Sequence, residues 1–312
     1  MDTLTNLEER NCFYCNSKEF TGIFVNEAIP TVSRSESKQF GLVRCKNCGA
    51  IYVNPAPSRN TLISYYPMDY YQDSILNNGL NKIVSKFYGK KKFQGIFTNL
   101  DLIKQNSRLV LEIGPGNGDN LQLFMQNGYT AYAIEPNKKL ADKLECLGIS
   151  TINSFVNDGI LMDNKFDVII LSHVLEHEYD PKAILEFCNE HMKNPGFLYI
   201  EIPTIDAISF KIFGKNWGEL EFPLHLSLMG KKHIQCMVTA LGIDIVNVYY
   251  RSLIGDVARA FGHRFPHFYM RHKLKFLFYP AIIALQIMII ILDKAFGSGE
   301  AIVLLARKGT NL

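Results

Sequence analysis

The sequence predicts an α/β fold: a parallel sheet with helices on both faces, a small cysteine-bearing domain before it and a helical cap near its end. Three observations predict it. Short β-rich apolar runs alternate with helical stretches from residue 108 onward. A glycine-rich turn, LEIGPGNGDN at 111–120, follows the first of those runs. Two CxxC pairs stand at the front. The 312 residues suffice for one large domain and a small one, and 47% apolar with 20% charged residues is ordinary for a globular chain. A net charge of +3 is too small to make nucleic acid the main partner. The opening MDTLTNLEERN lacks the basic start and apolar core of a secretory signal. An odd count of seven cysteines argues against a disulfide framework, so a reducing, cytoplasmic setting is expected.

The front comes first. Cys12 and Cys15 form one pair, Cys45 and Cys48 the other, with Gly49 following. Each pair on a tight turn aims two thiolates at one point, and four sulfurs complete a tetrahedral zinc shell. Four cysteines leave no open position, so the zinc is expected to be structural and to fold a segment too short for its own core. The 29 residues between the pairs exceed the usual ~15–20. A hairpin with TVSRSESKQ as its polar tip accounts for the excess. In IYVNPAPSRNTLISYYPMDYY two prolines precede a short helix that ends in Tyr65, Tyr66, Tyr70 and Tyr71. Those rings either pack between domains or form a lid, and Tyr70 and Tyr71 are candidate acceptor contacts. Residues 79–105 read as an amphipathic helix with Lys90, Lys91 and Lys92 on its solvated face. The expected domains are 1–78 and 79–312.

Next comes the main domain. RLVLEIG is a strand, with a helix over 118–127; YTAYAIE is the second, with a helix over 137–147. GISTIN, then FDVIILS with a helix over 180–193, then GFLYIEIP, GIDIVNVYYR and EAIVLLARK complete the series. Ligands of such folds bind at the carboxyl ends of the strands. The turn carries Gly114, Gly116 and Gly118. A P-loop would end in Gly-Lys-Ser/Thr, whereas this one reads Gly118-Asp119-Asn120; a dinucleotide fingerprint would place its third glycine one residue later. Glu112 just before the turn suits a pyrophosphate poorly. Glu135 closes the second strand 21 residues after Gly114, where a carboxylate accepts both ribose hydroxyls of a nucleoside. A nucleoside without phosphates, beside carboxylates that tolerate positive charge, describes S-adenosylmethionine.

LEIGPGNGDN, AIEPN at 133–137, FDVIILSHVLEH at 166–177 and GFLYIEIP at 196–203 resemble the class I S-adenosylmethionine-dependent methyltransferases over about residues 108–308. The CxxC, CxxCG, NPAP and YYPMDYY segments resemble the zinc-ribbon extension of a subgroup tied to sugar or surface-glycan modification, deoxysugar C-methyltransferases included. The resemblance implies a Rossmann-like methyltransferase sheet. It implies that Glu112, Gly114, Pro115, Gly116, Asn117, Gly118 and Asn120 surround the methionine and ribose parts, and that Glu135 with Pro136 holds the ribose. Ser154 and Phe155 would grip the adenine, and Ser172 and His173 would lie near the methyl donor.

Transfer to a hydroxyl or carbon acid needs a base, and histidine is the usual one near neutral pH. His225, in EFPLHLSLM within the acceptor-side segment 204–235, is the first choice; His173 is the second, and His177 is a further acceptor contact. His173, Glu176, His177 and His225 also resemble, with one change, the Glu-x-x-Glu-His plus histidine pattern of metal-assisted RNA and quinone-precursor O-methyltransferases. Trp217, in FGKNWGELEFP, is a candidate platform for a sugar ring. The expected reaction is methyl transfer to a sugar, nucleotide-linked or in a glycan, with a hydroxyl favoured over carbon. The alternatives are a small aromatic or quinone precursor, and a non-catalytic adaptor, which the intact turn and Glu135 oppose.

The last segment holds FLFYPAIIALQIMIIIL, 276–292, without a charge. With Pro280 at the helix start, about 12 apolar residues span roughly 18 Å, short of the ~30 Å of a bilayer core. This helix, inside an insertion over 255–297, is expected to cap the domain, join a homodimer or lie on the inner membrane surface beside Arg264, Arg271, His272, Lys273 and Lys275. Packing or dimerisation is the favoured role, and 264–292 the region of any peripheral membrane contact.

Overall fold

The computed structural model describes residues 7–24, 40–65, 92–93, 96–97, 108–160, 162–252, 256–265 and 275–309. Tyr66, Tyr70 and Tyr71, Lys90 and Lys91, Arg271, His272 and Lys273, the polar tip TVSRSESKQ and most of the expected helix 79–105 lie outside the described residues.

At the front, β1 (Leu7–Glu8) pairs with β5 (Ala56–Pro57). β2 (Phe20–Phe24), β3 (Leu42–Cys45) and β4 (Ile51–Val53) form an antiparallel meander. The two strands flanking the polar tip are thus hydrogen-bonded to each other. A short helix α1 (Arg59–Ser64) follows the prolines, and Tyr65 beyond it is buried.

The main sheet has seven strands: β6 (Arg108–Ile113), β7 (Tyr129–Ile134), β8 (Ser150–Ile152), β9 (Phe166–Ser172), β10 (Met192–Pro203), β12 (Asp244–Arg251) and β13 (Ala301–Lys308). Their order is β12-β13-β10-β9-β6-β7-β8. β9 shows why these segments are central strands: Phe166 to Leu171 are all buried, as a strand covered on both faces requires. Helices α2 (Asp119–Met125), α3 (Lys138–Cys146) and α4 (Pro181–His191) link the strands. Asn137 caps α3 through the Lys139 and Leu140 amides, and Asp180 caps α4 ahead of Pro181.

The sheet departs from the all-parallel expectation at β13, which is antiparallel to both β10 and β12. The cause is the insertion between β12 and β13. Ala301 faces Pro203 on one side and Arg251 on the other, the carboxyl ends of both neighbours. The chain therefore leaves and re-enters the sheet at one end, and the returning strand runs backward. The insertion carries α7 (Asp256–Arg264) and α8 (Lys275–Phe296). Pro280 lies inside α8 rather than at its start, because the helix already begins at Lys275. That proline removes one backbone hydrogen bond, which the long apolar run tolerates.

Between β10 and β12 come α5 (Ile208–Phe213), the two-residue strand β11 (Ser227–Leu228) and α6 (Lys231–Ala240). β11 pairs with β4, so segment 204–235 supplies a strand to the front sheet. Residues 40–65 and 207–228 also share a core that includes Phe40, Ile51, Trp217, Phe222 and Leu226. Arg10 ties the two together: its amide donates to Asn54 Oδ1 at 2.9 Å, and its guanidinium to Ser227 Oγ at 3.2 Å and to the Tyr179 carbonyl at 2.7 Å.

Candidate active site

Glu112, Gly114, Pro115, Gly116, Asp119, Asn120, Ser172, His173 and His177 line a cavity at the carboxyl ends of β6 and β9. The glycine turn makes its floor. Gly114, Gly116 and Gly118 have φ of 62°, 54° and 79°, a region that side chains disfavour. A Cβ on Gly118 would also lie 2.7 Å from the Leu144 side chain, so α2 can start close to α3 only over a glycine.

Two buried carboxylates flank the turn. Glu112 accepts a hydrogen bond from Asn120 Nδ2 at 2.7 Å through one oxygen, and the other has no partner. Burial pushes its pKa up to about 7, against the pull of Asn120. Glu135 accepts the Asn137 amide at 2.9 Å, and its second oxygen is likewise buried without a partner. Burial raises this group to about 7 as well. Asn153 fixes the backbone there by donating to the carbonyls of Glu135 (2.8 Å) and Pro136 (2.9 Å). Asn117 is turned to the surface, where its Oδ1 accepts from Lys143 at 2.6 Å. Past β8, Ser154 Oγ lies 3.3 Å from Asp158, and the Phe155 ring sits under the Arg59 guanidinium.

His173 stands where β9 ends. Its backbone is left-handed, with φ of 57°, and its amide donates to the Glu201 carbonyl at 2.8 Å. Nδ1 lies 3.2 Å from Glu176 Oε1, and the side chain is 37% exposed. Burial disfavours the imidazolium, but the neighbouring Glu176 and Glu201 outweigh it and raise the pKa. Glu201, wholly buried, is held by Lys92 Nζ at 2.8 Å, by Arg251 and by the Tyr199 hydroxyl at 3.0 Å. Burial works to raise Glu201, and the two cations overcome it and bring it down to about 2. The sequence reading missed this cluster. Lys92 was expected on a solvated face, yet it pairs with Glu201 and donates to Ser172 Oγ at 3.3 Å. The one available signal was a glutamate inside the apolar run of β10.

His177 and His225 pack ring against ring, centroids 4.7 Å apart at 79°. His177 Nδ1 faces the Leu224 carbonyl at 3.2 Å, and His225 Nδ1 faces the Glu219 carbonyl at 2.7 Å. Burial lowers both, His177 to about 4 with His225 adding to the effect. His225 is 3% exposed and is not among the residues that line the cavity, which removes the geometric support for it as first choice of base. Trp217 is a second correction. It is fully buried against Phe210 and donates its Nε1–H to Ser209 Oγ at 2.9 Å, so no ring face is open to a sugar.

Two groups of side chains could hold a metal. Cys12, Cys15, Cys45 and Cys48 bring their sulfurs within 4.8 Å of one another, with Cys12–Cys48 and Cys15–Cys45 at 3.5 Å. Ligand atoms of Glu176, His177 and His225 also converge within 4.8 Å.

A family model described as "Methyltransferase domain" matches residues 88–248. An uncharacterised protein of Methanocaldococcus jannaschii is 26% identical over 132 residues, 42% of this chain and 62% of that one. The ubiquinone biosynthesis O-methyltransferase of Actinobacillus pleuropneumoniae is 30% identical over 136 residues, 38% of this chain and 58% of that one. The chain thus spans about three fifths of the length of these curated relatives. Among solved structures, a SAM-dependent methyltransferase from Archaeoglobus fulgidus is 15% identical with a TM-score of 0.50, covering 78% of this chain and all of the other. That likeness shows a shared α/β methyltransferase fold. With more than half its length matched by the family model, and the glycine turn and Glu135 at the sheet's carboxyl edge, the chain belongs to the methyltransferase-domain family.

Proposed function

We propose that the protein transfers a methyl group from S-adenosylmethionine to a hydroxyl of a small molecule. One observation carries the cofactor reading: Glu135, at the end of β7, has one oxygen bonded and the other buried and unpartnered. Two ribose hydroxyls would complete it, whereas a pyrophosphate would face Glu112 and Glu135 across the same turn. The cofactor, when bound, supplies an already activated sulfonium methyl. Much of the protein's work is then positioning and exclusion of water.

His173 is the base. It borders the cavity and is fixed by its own backbone bond; Glu176 holds Nδ1, and Nε2, 4.0 Å from Glu201 Oε1, is the nitrogen that would accept the hydroxyl proton. Glu176 acts as a positioning residue. Similarity to an O-methyltransferase supports a hydroxyl over carbon. A sugar acceptor loses its expected platform with Trp217 in the core, so small hydroxylated aromatics should be assayed beside nucleotide sugars. His173→Asn should cut turnover by roughly 100-fold or more with cofactor affinity by calorimetry unchanged; a normal rate removes His173 from the reaction.

A second reading is metal-assisted transfer, and one observation favours it. Ligand atoms of Glu176, His177 and His225 converge within 4.8 Å, and backbone carbonyls face Nδ1 of both histidines and so orient the rings. Such a set would hold a divalent cation that polarises the acceptor oxygen. Activity lost to a chelator while the four-cysteine site stays loaded, and restored by added Mg²⁺ or Mn²⁺, would select it. We read the four cysteines as a structural zinc site, since their sulfur separations suit one tetrahedral ion.

A further inference from the structure

α8 packs on α5 and α7, and these two also touch each other. The buried side of α8 is Gln286, Ile289 and Asp293: Gln286 Oε1 accepts the Val257 amide, and Asp293 accepts from Ser252 and Ser298. On the opposite side Ile283, Ile287 and Ile291 recur every four residues and are 55%, 52% and 60% exposed. Ala284 and Met288 widen this stripe, which carries no charge over three turns. Exposed Ile212 of α5 and Phe265 just after α7 belong to the same packed unit.

Charge decides what covers it. Among the described residues of 208–216, 256–265 and 275–296 the acids are Asp256 and Asp293, and both are buried. Lys211, Arg264 and Lys294 are exposed, as is Arg259, which pairs with Glu219. Every exposed charge among these described residues is therefore basic. A second copy docking through the same face would set like charges against each other. An interface that is anionic outside and apolar beneath matches both features. No described helix is long and apolar enough to cross a membrane, and β13 returns the chain to the sheet.

We propose that α8, with Ile212 and Phe265, docks in the plane of an anionic lipid bilayer, its isoleucine stripe among the acyl chains and Lys211, Arg264 and Lys294 at the headgroups. The inference does not depend on the methyl-transfer reading. Full-length protein is floated with vesicles of phosphatidylcholine, with and without phosphatidylserine. It should bind the phosphatidylserine vesicles, and less so as salt rises. Ile287→Glu with Ile291→Glu should weaken binding by about tenfold or more. Lys211→Ala, Arg264→Ala and Lys294→Ala should each cost roughly fivefold on the anionic vesicles. Both isoleucines are exposed, so the double variant should keep the wild-type circular dichroism and melting temperature. No binding, equal binding to both vesicle types, or wild-type binding by the double variant would overturn the proposal. So would a wild-type dimer in sedimentation that the double variant makes monomeric without any vesicle binding, which would assign the face to a second copy.

Discussion

A buried carboxylate with one oxygen bonded and the other orphaned, as in Glu135, is raised to about 7 because burial penalises its charge. Accepting two ribose hydroxyls requires the ionised form. Cofactor affinity should therefore rise as pH climbs toward 7 and level off above it, and Glu135→Gln should flatten the profile. At neutral pH the glutamine variant should bind more weakly by about 1–3 kcal/mol, measured by calorimetry. Gly118→Ala should lower stability by about 1–3 kcal/mol in a denaturant melt, from the positive φ and from the Leu144 contact together. These two residues were legible in the sequence because spacing alone puts one in a turn and the other at a strand end. The choice between His173 and His225 was not legible, since it turns on which ring the fold leaves beside the cavity. The Lys92–Glu201–Arg251 cluster joins residues from three distant stretches of the chain, and no local pattern encodes it.

At the scale of elements, the front segment is bound to the rest of the chain. β4 pairs with β11, Val53 donates to the Leu226 carbonyl at 3.0 Å, and the Cys48 carbonyl faces His233 Nε2 at 3.0 Å. On the proposed zinc reading, loss of the metal should then reach beyond the front segment. Cys48→Ser should release zinc and lower the melting temperature of the whole chain, not of a separate front transition, as calorimetry would show. Trp217→Ala should cost about 3–5 kcal/mol, the usual price of emptying a large buried site. Strand positions were readable from their apolar runs, since burial on both faces leaves little room for polar residues. The direction of β13 was not, because a strand's composition is the same whichever way it runs.

At the scale of the molecule, Glu112, Glu135 and Glu178 all have pKa values near 7 through burial. A carboxyl raised in the folded state adds stability that is full below its unfolded pKa and is lost as pH rises through the folded one. Buried His177 and His225, lowered in the fold, act in the opposite sense but only below about pH 6.5. The cofactor-free protein should therefore melt at falling temperatures from about pH 6.5 to 8. The rise in melting temperature on adding S-adenosylmethionine should grow over the same range, as scanning fluorimetry would show. Equal melting temperatures across that range would mean these carboxylates are better solvated than their burial indicates.

By itself the sequence determined the sheet of alternating elements, the glycine turn with its flanking acids and the four-cysteine set, because each is written in local spacing that chain geometry translates directly. Only the tertiary structure decided which histidines border the cavity, that Trp217 belongs to the core, that the front segment and β11 share one sheet, and that the isoleucines of α8 face outward. Those outcomes depend on which distant surfaces meet, and burial and proton affinity are properties of that meeting rather than of any one stretch of chain.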